Sequence, residues 1–225
     1  MTERTYNQFC GVARALDLVG ERWALLVVRD LVLGPKRFTD LQADLPGIAT
    51  NVLVARLREL EANGVVRRRT LPPPAAATVY ELTEYGRELE PVLLAFGKWG
   101  AKTLGTPRPE QALRSGWIGV AKRAYSVPEA SIGTRATIEL QLDDGTFHVR
   151  LDDGEVTVAN GPIDGPSLAI ETTNLALLAL LRRIASVDEL VSGGLLRLEG
   201  DERLVEILVD VVRLPEAGHE PTLAR

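Results

Sequence analysis

The sequence TNVLVARLRELEANGVVRRRT, which runs from Thr50 to Thr70, decides the fold of the N-terminal half. Thr50 can cap a helix that continues to about Asn63, and Gly64 suits the left-handed conformation that ends many helices. Three arginines follow in a strand-like segment. The stretch therefore predicts a helix that leads directly into a basic β-hairpin.

The predicted helix 50–63 has an apolar face and an opposite face of small or hydrogen-bonding residues. At about 100° per residue, Leu53, Leu57 and Leu60 share the apolar face. The opposite face carries Asn51, Ala55, Arg58 and Ala62. A helix that enters the major groove needs this combination, because Asn suits adenine and Arg suits guanine. Arg56 flanks the apolar face and could reach the DNA backbone. The alternative is a surface helix with solvated charges.

A β-hairpin over residues 65–82 follows the helix. Its strands are predicted at Val65–Thr70 and Val79–Leu82, around a connector with three prolines and three alanines. The first strand carries Arg67, Arg68 and Arg69, where they could meet phosphates or the minor groove. The alternative is an exposed edge strand that is protected by its charge.

The neighbouring helices complete the order of a winged helix-turn-helix. Apolar spacing predicts helices within Val12–Val19, Trp23–Leu33 and Phe38–Leu45, and a longer helix from Thr83 to Leu104. We therefore predict a DNA-binding domain over residues 1–105. Its candidate DNA contacts are Thr39, Thr50, Asn51, Arg56, Arg58, Arg67, Arg68 and Arg69.

The net charge of −5 at first argues against nucleic acid as a partner. The charge is unevenly placed, since residues 1–105 carry a net +2 and residues 106–225 a net −7. Phosphate contact depends on the local field and not on the charge of the whole chain. The acidity therefore does not exclude a DNA-binding N-terminal domain.

Residues 106–225 have the alternating pattern of a sheet with added helices. The turns Asp143-Asp144-Gly145 and Asp152-Asp153-Gly154 separate apolar-alternating segments, as in β-hairpins. An apolar helix is expected over Leu175–Ile184, and Ser186 with Glu189 forms a capping box. The fold class is therefore α+β, with an N-terminal winged helix-turn-helix and a C-terminal twisted, antiparallel-type sheet covered by helices.

No catalytic, cofactor or metal site is recognisable. The motifs GxSxG, GxGxxG, HExxH and the P-loop are absent, and neither His148 nor His219 has an evident partner. A single cysteine excludes an internal disulfide, and we see neither a signal peptide nor a membrane span. We expect a cytoplasmic protein that is not an enzyme and has no membrane partner.

The N-terminal half resembles the HxlR family of transcription regulators over residues 8–104. The resemblance is carried by Cys10–Trp23, Arg29-Asp30-Leu31, Gly34–Leu41, Leu45–Ile48, Leu57–Glu61 and Tyr80–Gly86. It implies a homodimeric winged-helix regulator that binds double-stranded DNA at a roughly palindromic operator. It also implies that the stripe Leu89/Phe96/Trp99 is partly a dimer interface, and the alternative is packing within one subunit.

Cys10 matches the N-terminal cysteine of many HxlR-type proteins, and some of these use it to sense oxidants. Gly11 follows it where proline is common. A buried, inert Cys10 is the simpler expectation, and a redox sensor is the alternative, since a helix N-terminus can lower a thiol pKa.

Residues 130–212 resemble sterol-carrier-protein-2-like domains. The resemblance rests on the Asp143–Gly154 hairpin pattern, the apolar helix, and the segment Leu190–Asp201. It implies an effector-binding or dimerisation module. Leu175, Leu178 and Leu181 could line a cavity for a small apolar effector, although packing in a core is the simpler expectation.

Two functions of different class remain. The first is a DNA-binding transcriptional regulator whose second domain senses a ligand or dimerises. The second is a small hydrophobic-ligand carrier whose winged helix mediates only protein contacts. Weak, sequence-independent DNA binding would favour the second.

Overall fold

The computed structural model describes residues 5–73, 76–105, 107–108 and 111–214. The chain forms two compact units, Met1–Phe96 (unit 1) and Gly97–Arg225 (unit 2). The boundary predicted from the sequence lies at residue 105, whereas the division between the two units falls within a helix, between Phe96 and Gly97. Two earlier predictions, the tip of the hairpin at residues 74–75 and His219, lie outside the described residues.

Unit 1 has the predicted order of a winged helix-turn-helix. Its helices and strands are α1 (Gly11–Val19), α2 (Ala24–Val32), α3 (Phe38–Asp44), α4 (Thr50–Ala62), β1 (Val66–Thr70), β2 (Thr78–Leu82), α5 (Glu84–Arg87) and the start of α6 (Leu89–Ala101). The strands β1 and β2 pair antiparallel. Gly64 has a φ of +71°, which gives the predicted left-handed turn between α4 and β1.

The single long helix predicted from Thr83 to Leu104 is wrong, because the structure divides it into α5 and α6. Pro91 lies in the first turn of α6 and has no N–H to donate to the carbonyl of Arg87. Proline is tolerated in the first turn of a helix but not in its interior. The proline therefore favours a new helix start at Leu89.

The core of unit 1 joins four helices to the hairpin. The predicted apolar face of α4 is buried, with Leu53, Leu57 and Leu60 at most 2% exposed. These leucines pack with Val27, Leu31, Leu41, Leu45, Val65, Val66 and Leu82. The seating of α4 on this core fixes which of its faces points to solvent.

Unit 2 combines a five-stranded sheet with helices. Its elements are α7 (Ser115–Tyr125), a 3₁₀ turn (Pro128–Ser131), β3 (Arg135–Leu142), β4 (Gly145–Asp152), β5 (Glu155–Asn160), β6 (Leu168–Thr172), α8 (Asn174–Leu181), α9 (Val187–Ser192), β7 (Leu196–Gly200) and α10 (Leu204–Val211). Both predicted hairpin turns and the Ser186/Glu189 capping box are confirmed.

The sheet of unit 2 is mixed, although we expected an antiparallel one. The strand order is β5-β4-β3-β6-β7, and β3 pairs parallel with β6 while the other three pairs are antiparallel. After β5, at one edge of the sheet, the chain crosses over β4 and β3 and adds β6 on the far side of β3. In that position β6 runs in the same direction as β3. Ile138, Leu168 and Ile170 are fully buried in the core that the sheet shares with α8 and α10.

The helices and the metal-ligating side chains of the described residues bear on other functions. None of the helices in those residues is both long enough and apolar enough to cross a membrane. In the same part of the chain, no group of three or more His, Cys, Asp or Glu residues is placed to hold a metal ion.

Candidate nucleic-acid interface

The solvent-facing side of α4 carries the predicted reading residues. Asn51 and Arg58 are both exposed, on the side opposite the buried Leu53, Leu57 and Leu60. Within the described part of the chain, neither side chain makes a hydrogen bond or an ion pair. Ala55 and Ala62 lie on the same side of the helix, and their small side chains allow a partner to approach the helix closely.

The N-terminus of α4 is built differently from the prediction. The cap residue is Ala49, and Thr50 is the first residue of the helix, so the assignment of Thr50 as the cap is wrong. Its hydroxyl oxygen accepts a hydrogen bond from Gln42 Nε2 at 2.6 Å. This bond joins α3 to α4 and orients the two helices of the helix-turn-helix. Thr39 is exposed on α3, with its hydroxyl 3.4 Å from Asp40 Oδ1.

Arg56 is held within unit 1 by acidic neighbours. Its guanidinium donates to Glu59 and lies 3.6 Å from Glu21 Oε2. The Arg56 side chain is only 14% exposed, whereas Arg58, two residues later, is exposed. Arg56, predicted at the flank of the apolar face, is therefore held by carboxylates, and Arg58, predicted on the opposite face, is open to solvent.

The wing arginines Arg67 and Arg69 share one carboxylate. Arg67 lies directly opposite Glu81 in the β1–β2 register, and Arg67 Nε is 2.8 Å from Glu81 Oε1. Arg69 Nε donates to the other oxygen, Oε2, at 3.0 Å. Both arginine side chains remain about half exposed, while that of Glu81 is 8% exposed. The carboxylate therefore holds both guanidinium groups in place through their Nε atoms, and the remainder of each group stays exposed to water.

Electrostatics keep Glu81 ionised. Burial alone would raise the pKa of Glu81, but the hydrogen bonds from Arg67 and Arg69 and their charges outweigh it and lower the pKa below its ordinary value. Arg68 lies on the opposite face of the hairpin and donates to Glu61 Oε1 at 2.9 Å, which raises the pKa of Arg68. Each wing arginine thus has a carboxylate neighbour.

Three residues of this surface were missed by the sequence analysis. Gln42 and Glu81 position Thr50 and the wing arginines, and Arg37 is an exposed cation immediately before α3. Arg37 forms no ion pair within the described residues. Its position two residues before Thr39 could have been recognised from the sequence. The role of Glu81 could not, because it depends on the register of the hairpin.

The surface of α6 is strongly apolar. None of its residues is buried, and Val92, Phe96 and Trp99 are 57%, 58% and 68% exposed. Leu89, the first member of the predicted stripe, instead packs partly on the core of unit 1. A large apolar surface of this kind is unusual on a monomer.

Cys10 is exposed, so the expectation of a buried thiol is wrong. It is the N-cap residue of α1. The backbone N–H groups of Ala13 and Val12, in the first turn of α1, lower the pKa of the Cys10 thiol, and the smaller effect of burial opposes them. The thiolate is therefore favoured by the N-terminus of a helix, as the sequence analysis considered.

The three leucines predicted to line a cavity differ in their surroundings. Leu175 is 58% exposed, Leu178 is half-buried, and Leu181 is buried in the core of unit 2. Two open grooves of unit 2, of about 490 and 830 Å³, are lined by other residues, including Ile184 and Val209 in the first and Val191 and Leu196 in the second. His148 Nδ1 lies 2.9 Å from the carbonyl oxygen of Gly161.

An exposed reading face on the helix after a turn, followed by an arginine-bearing hairpin, defines unit 1 as a winged helix-turn-helix of the DNA-binding class. A family model described as HxlR-like helix-turn-helix matches residues 18–107. The chain belongs to this family, and it is a DNA-binding transcriptional regulator.

Relatives from two organisms illustrate the match. The chain is 37% identical over 110 residues to the HTH-type transcriptional regulator sll1512 of Synechocystis sp., which covers 49% of this chain and 82% of that protein. It is 39% identical over 85 residues to the HTH-type transcriptional regulator YodB of Bacillus subtilis, which covers 38% of this chain and 76% of that protein. Most of unit 2 lies beyond the residues that the family model matches.

Solved structures match the same part of the chain. The reduced form of YodB from B. subtilis is 35% identical and covers 43% of this chain and 96% of that one, with a TM-score of 0.38. A structure of ytcD, a transcriptional regulator of the HTH type, is 36% identical and covers 41% of this chain and 95% of that one, with a TM-score of 0.39.

Proposed function

We propose that this regulator reads a roughly palindromic operator as a homodimer, with α4 of each subunit in the major groove. The observation that carries the proposal is the exposed pair Asn51 and Arg58, which has no partner in the described part of unit 1 and lies opposite the buried face of α4. Unpaired amide and guanidinium groups are free to bond to base edges. Thr50 and Thr39 border this surface and donate to phosphates.

The wing contacts the DNA backbone or the minor groove beside the site of α4. Glu81 holds the guanidinium groups of Arg67 and Arg69 through their Nε atoms, and both side chains stay about half exposed. They can therefore reach phosphates from fixed positions. Arg68 and Arg56 are paired with acidic neighbours and contribute to the local field from the flanks. Arg37 joins the interface as a further backbone contact.

A second copy of the chain covers the apolar surface of α6. The side chains of Val92, Phe96 and Trp99 together expose a surface that water disfavours. A two-fold arrangement of two winged helices would also place two copies of α4 on successive half-sites, as an operator with internal symmetry requires.

Cys10 is the candidate for redox regulation. Its exposure and its lowered pKa are the properties that a reactive thiolate needs. With no second cysteine in the sequence, oxidation would join it to the Cys10 of another subunit or to a small thiol.

Unit 2 acts as an effector-binding module of the sterol-carrier-protein-2-like kind. Support comes from its sheet, which shares one core with α8 and α10, and from Leu175 and Leu178 of α8, which are exposed and half-buried. The alternative, a ligand carrier whose winged helix contacts only proteins, is disfavoured by the membership of unit 1 in a family of DNA-binding regulators.

The test is a fluorescence-anisotropy titration of the full chain with duplexes from its own upstream region. The double variant Asn51→Ala/Arg58→Ala should lose about 1–3 kcal/mol of binding free energy for each lost base contact. The matched control is Arg197→Ala, which removes an arginine that is 81% exposed on unit 2. Equal binding by the double variant and the parent would refute the assignment of α4 as the recognition helix.

A further inference from the structure

The helix α8 has two faces with different surroundings. Its inward face, formed by Ala176, Leu177, Leu180 and Leu181, is buried in the core of unit 2. Residues three, four and seven apart lie on one side of a helix, so Leu175, Leu178 and Arg182 share the side opposite the core. Leu175 is 58% exposed and Leu178 is half-buried. This side of α8 therefore combines an apolar strip of Leu175 and Leu178 with the buried cation of Arg182 at its C-terminal end.

Arg182 is buried without a counter-ion. It is only 8% exposed, and its Nη1 donates to the carbonyl oxygen of Gly105 at 2.8 Å. Its Nε is buried and has no acceptor, and no carboxylate pairs with this guanidinium anywhere in the described residues. Buried charges are normally paired, because removal of an ion from water is unfavourable unless an opposite charge compensates it. Among the described residues, Arg182 therefore has no anionic partner.

The surroundings of Arg182 suit such an anion. Burial raises the pKa of Tyr125, the last residue of α7, and the positive charge of Arg182 opposes that rise. Lys98 Nζ lies 5.7 Å from the centre of the Tyr125 ring. A second cation and a phenol hydroxyl, which can donate a hydrogen bond, therefore lie in the same region of unit 2 as the guanidinium.

We propose that unit 2 binds a small amphipathic carboxylate whose head group pairs with Arg182 and whose hydrocarbon chain lies along Leu178 and Leu175. This inference rests on the proposed effector function of unit 2. Because Gly105 already engages Nη1, the edge formed by Nε and Nη2 is left, and this edge binds a carboxylate through two parallel hydrogen bonds. The Tyr125 hydroxyl donates to the same head group.

Isothermal titration calorimetry of the full chain with decanoate and with decanol tests the inference. The parent chain should bind one decanoate per chain, and Arg182→Met should bind it at least about ten-fold more weakly, since a charge-assisted bidentate pair is lost. Decanol has no charge, so its binding should not change with Arg182→Met. The matched control is Arg183→Met, because Arg183 is 59% exposed and donates to Asp210 at 2.7 Å.

A second variant separates binding from folding. Arg182→Met also removes the bond to Gly105, so its thermal unfolding is recorded alongside the titrations. Tyr125→Phe leaves Arg182 in place, and the loss of one hydrogen bond should weaken decanoate binding by about three-fold. Failure of the parent chain to bind decanoate, or equal affinities in Arg182→Met and Arg183→Met, overturns the proposal.

DNA binding is measured on the same preparation, which keeps the two proposals distinguishable. A chain that binds its operator but not decanoate overturns this inference alone. A chain that binds decanoate through Arg182 but shows no sequence-specific DNA binding supports this inference and contradicts the proposed operator function.

Discussion

Arg67 and Glu81 face each other directly across the β1–β2 pair, and two guanidinium nitrogens of Arg67 lie 2.8 Å from a single Glu81 oxygen. The second Glu81 oxygen accepts from Arg69. One nearly buried carboxylate thus orders two of the three wing arginines before any DNA is present. Side chains that are already ordered lose less conformational entropy when they bind.

Substitution Glu81→Gln tests this arrangement through stability. A glutamine keeps the shape but not the charge, so we expect a loss of about 1–2 kcal/mol at pH 7, with the lower figure favoured by the exposure of both arginines. Differential scanning calorimetry measures the change. The control is Glu171→Gln, since Glu171 is 61% exposed and 3.5 Å from Arg197. Equal shifts in both variants would argue against a special role for Glu81.

The same pair predicts a pH dependence. The pKa of Glu81 is lower in the folded chain, so its stabilisation is complete above the ordinary carboxyl pKa of about 4.3. It is lost as the pH falls through the lowered value, because the carboxylate then takes up a proton. The difference in melting temperature between the parent and Glu81→Gln should therefore shrink below about pH 4. A constant difference from pH 7 downward would contradict the assignment.

Local patterns were enough to predict the winged helix. The buried face of α4, the turn at Gly64 and the hairpin strands follow from helical spacing, glycine conformation and alternation, all of which act over a few residues. The break at Leu89 was also readable, because Pro91 was in the sequence. The apolar stripe of the predicted long helix concealed it.

The missed features depend on contacts between distant residues. The pairing of Arg67 with Glu81 depends on the register across a connector with three prolines. The exposure of Cys10 depends on how the N-terminal segment packs, and the parallel pair β3–β6 depends on the path of the chain after β5. Short-range periodicity carries no information on any of these, since each is decided by packing of the whole unit.

Substitutions of Arg56 and Arg58 should have different effects, the first on the stability of the fold and the second on DNA binding. Arg56→Met removes ion pairs with Glu59 and Glu21, so we expect a loss of about 1 kcal/mol of stability. Arg58→Met should leave the melting temperature unchanged and cost about 1–3 kcal/mol of operator binding. Thermal unfolding and anisotropy titrations of each variant provide both numbers. The reverse pattern would mean that Arg56 reads the DNA.

Cys10 should react as a thiol of lowered pKa. The rate of alkylation by iodoacetamide follows the thiolate fraction, so its pH midpoint reports the pKa of Cys10. We expect a lower midpoint for the native chain than for the urea-unfolded chain, because unfolding removes the first turn of α1 and with it the aligned N–H groups of Val12 and Ala13. Mass spectrometry of the alkylated chain gives the rates, and Cys10→Ser gives the background. Coincident midpoints would rule out activation by the helix.

The apolar surface of α6 should determine the oligomeric state. Sedimentation equilibrium of the parent should give about twice the chain mass of 24.5 kDa. The double variant Val92→Glu/Phe96→Glu buries two charges in any interface there, so we expect a monomer whose operator affinity falls by about a hundredfold. The control is Val191→Glu, at a side chain that is 46% exposed on α9. A variant that remains dimeric would place the interface elsewhere, because two unpaired carboxylates at its centre cannot be accommodated.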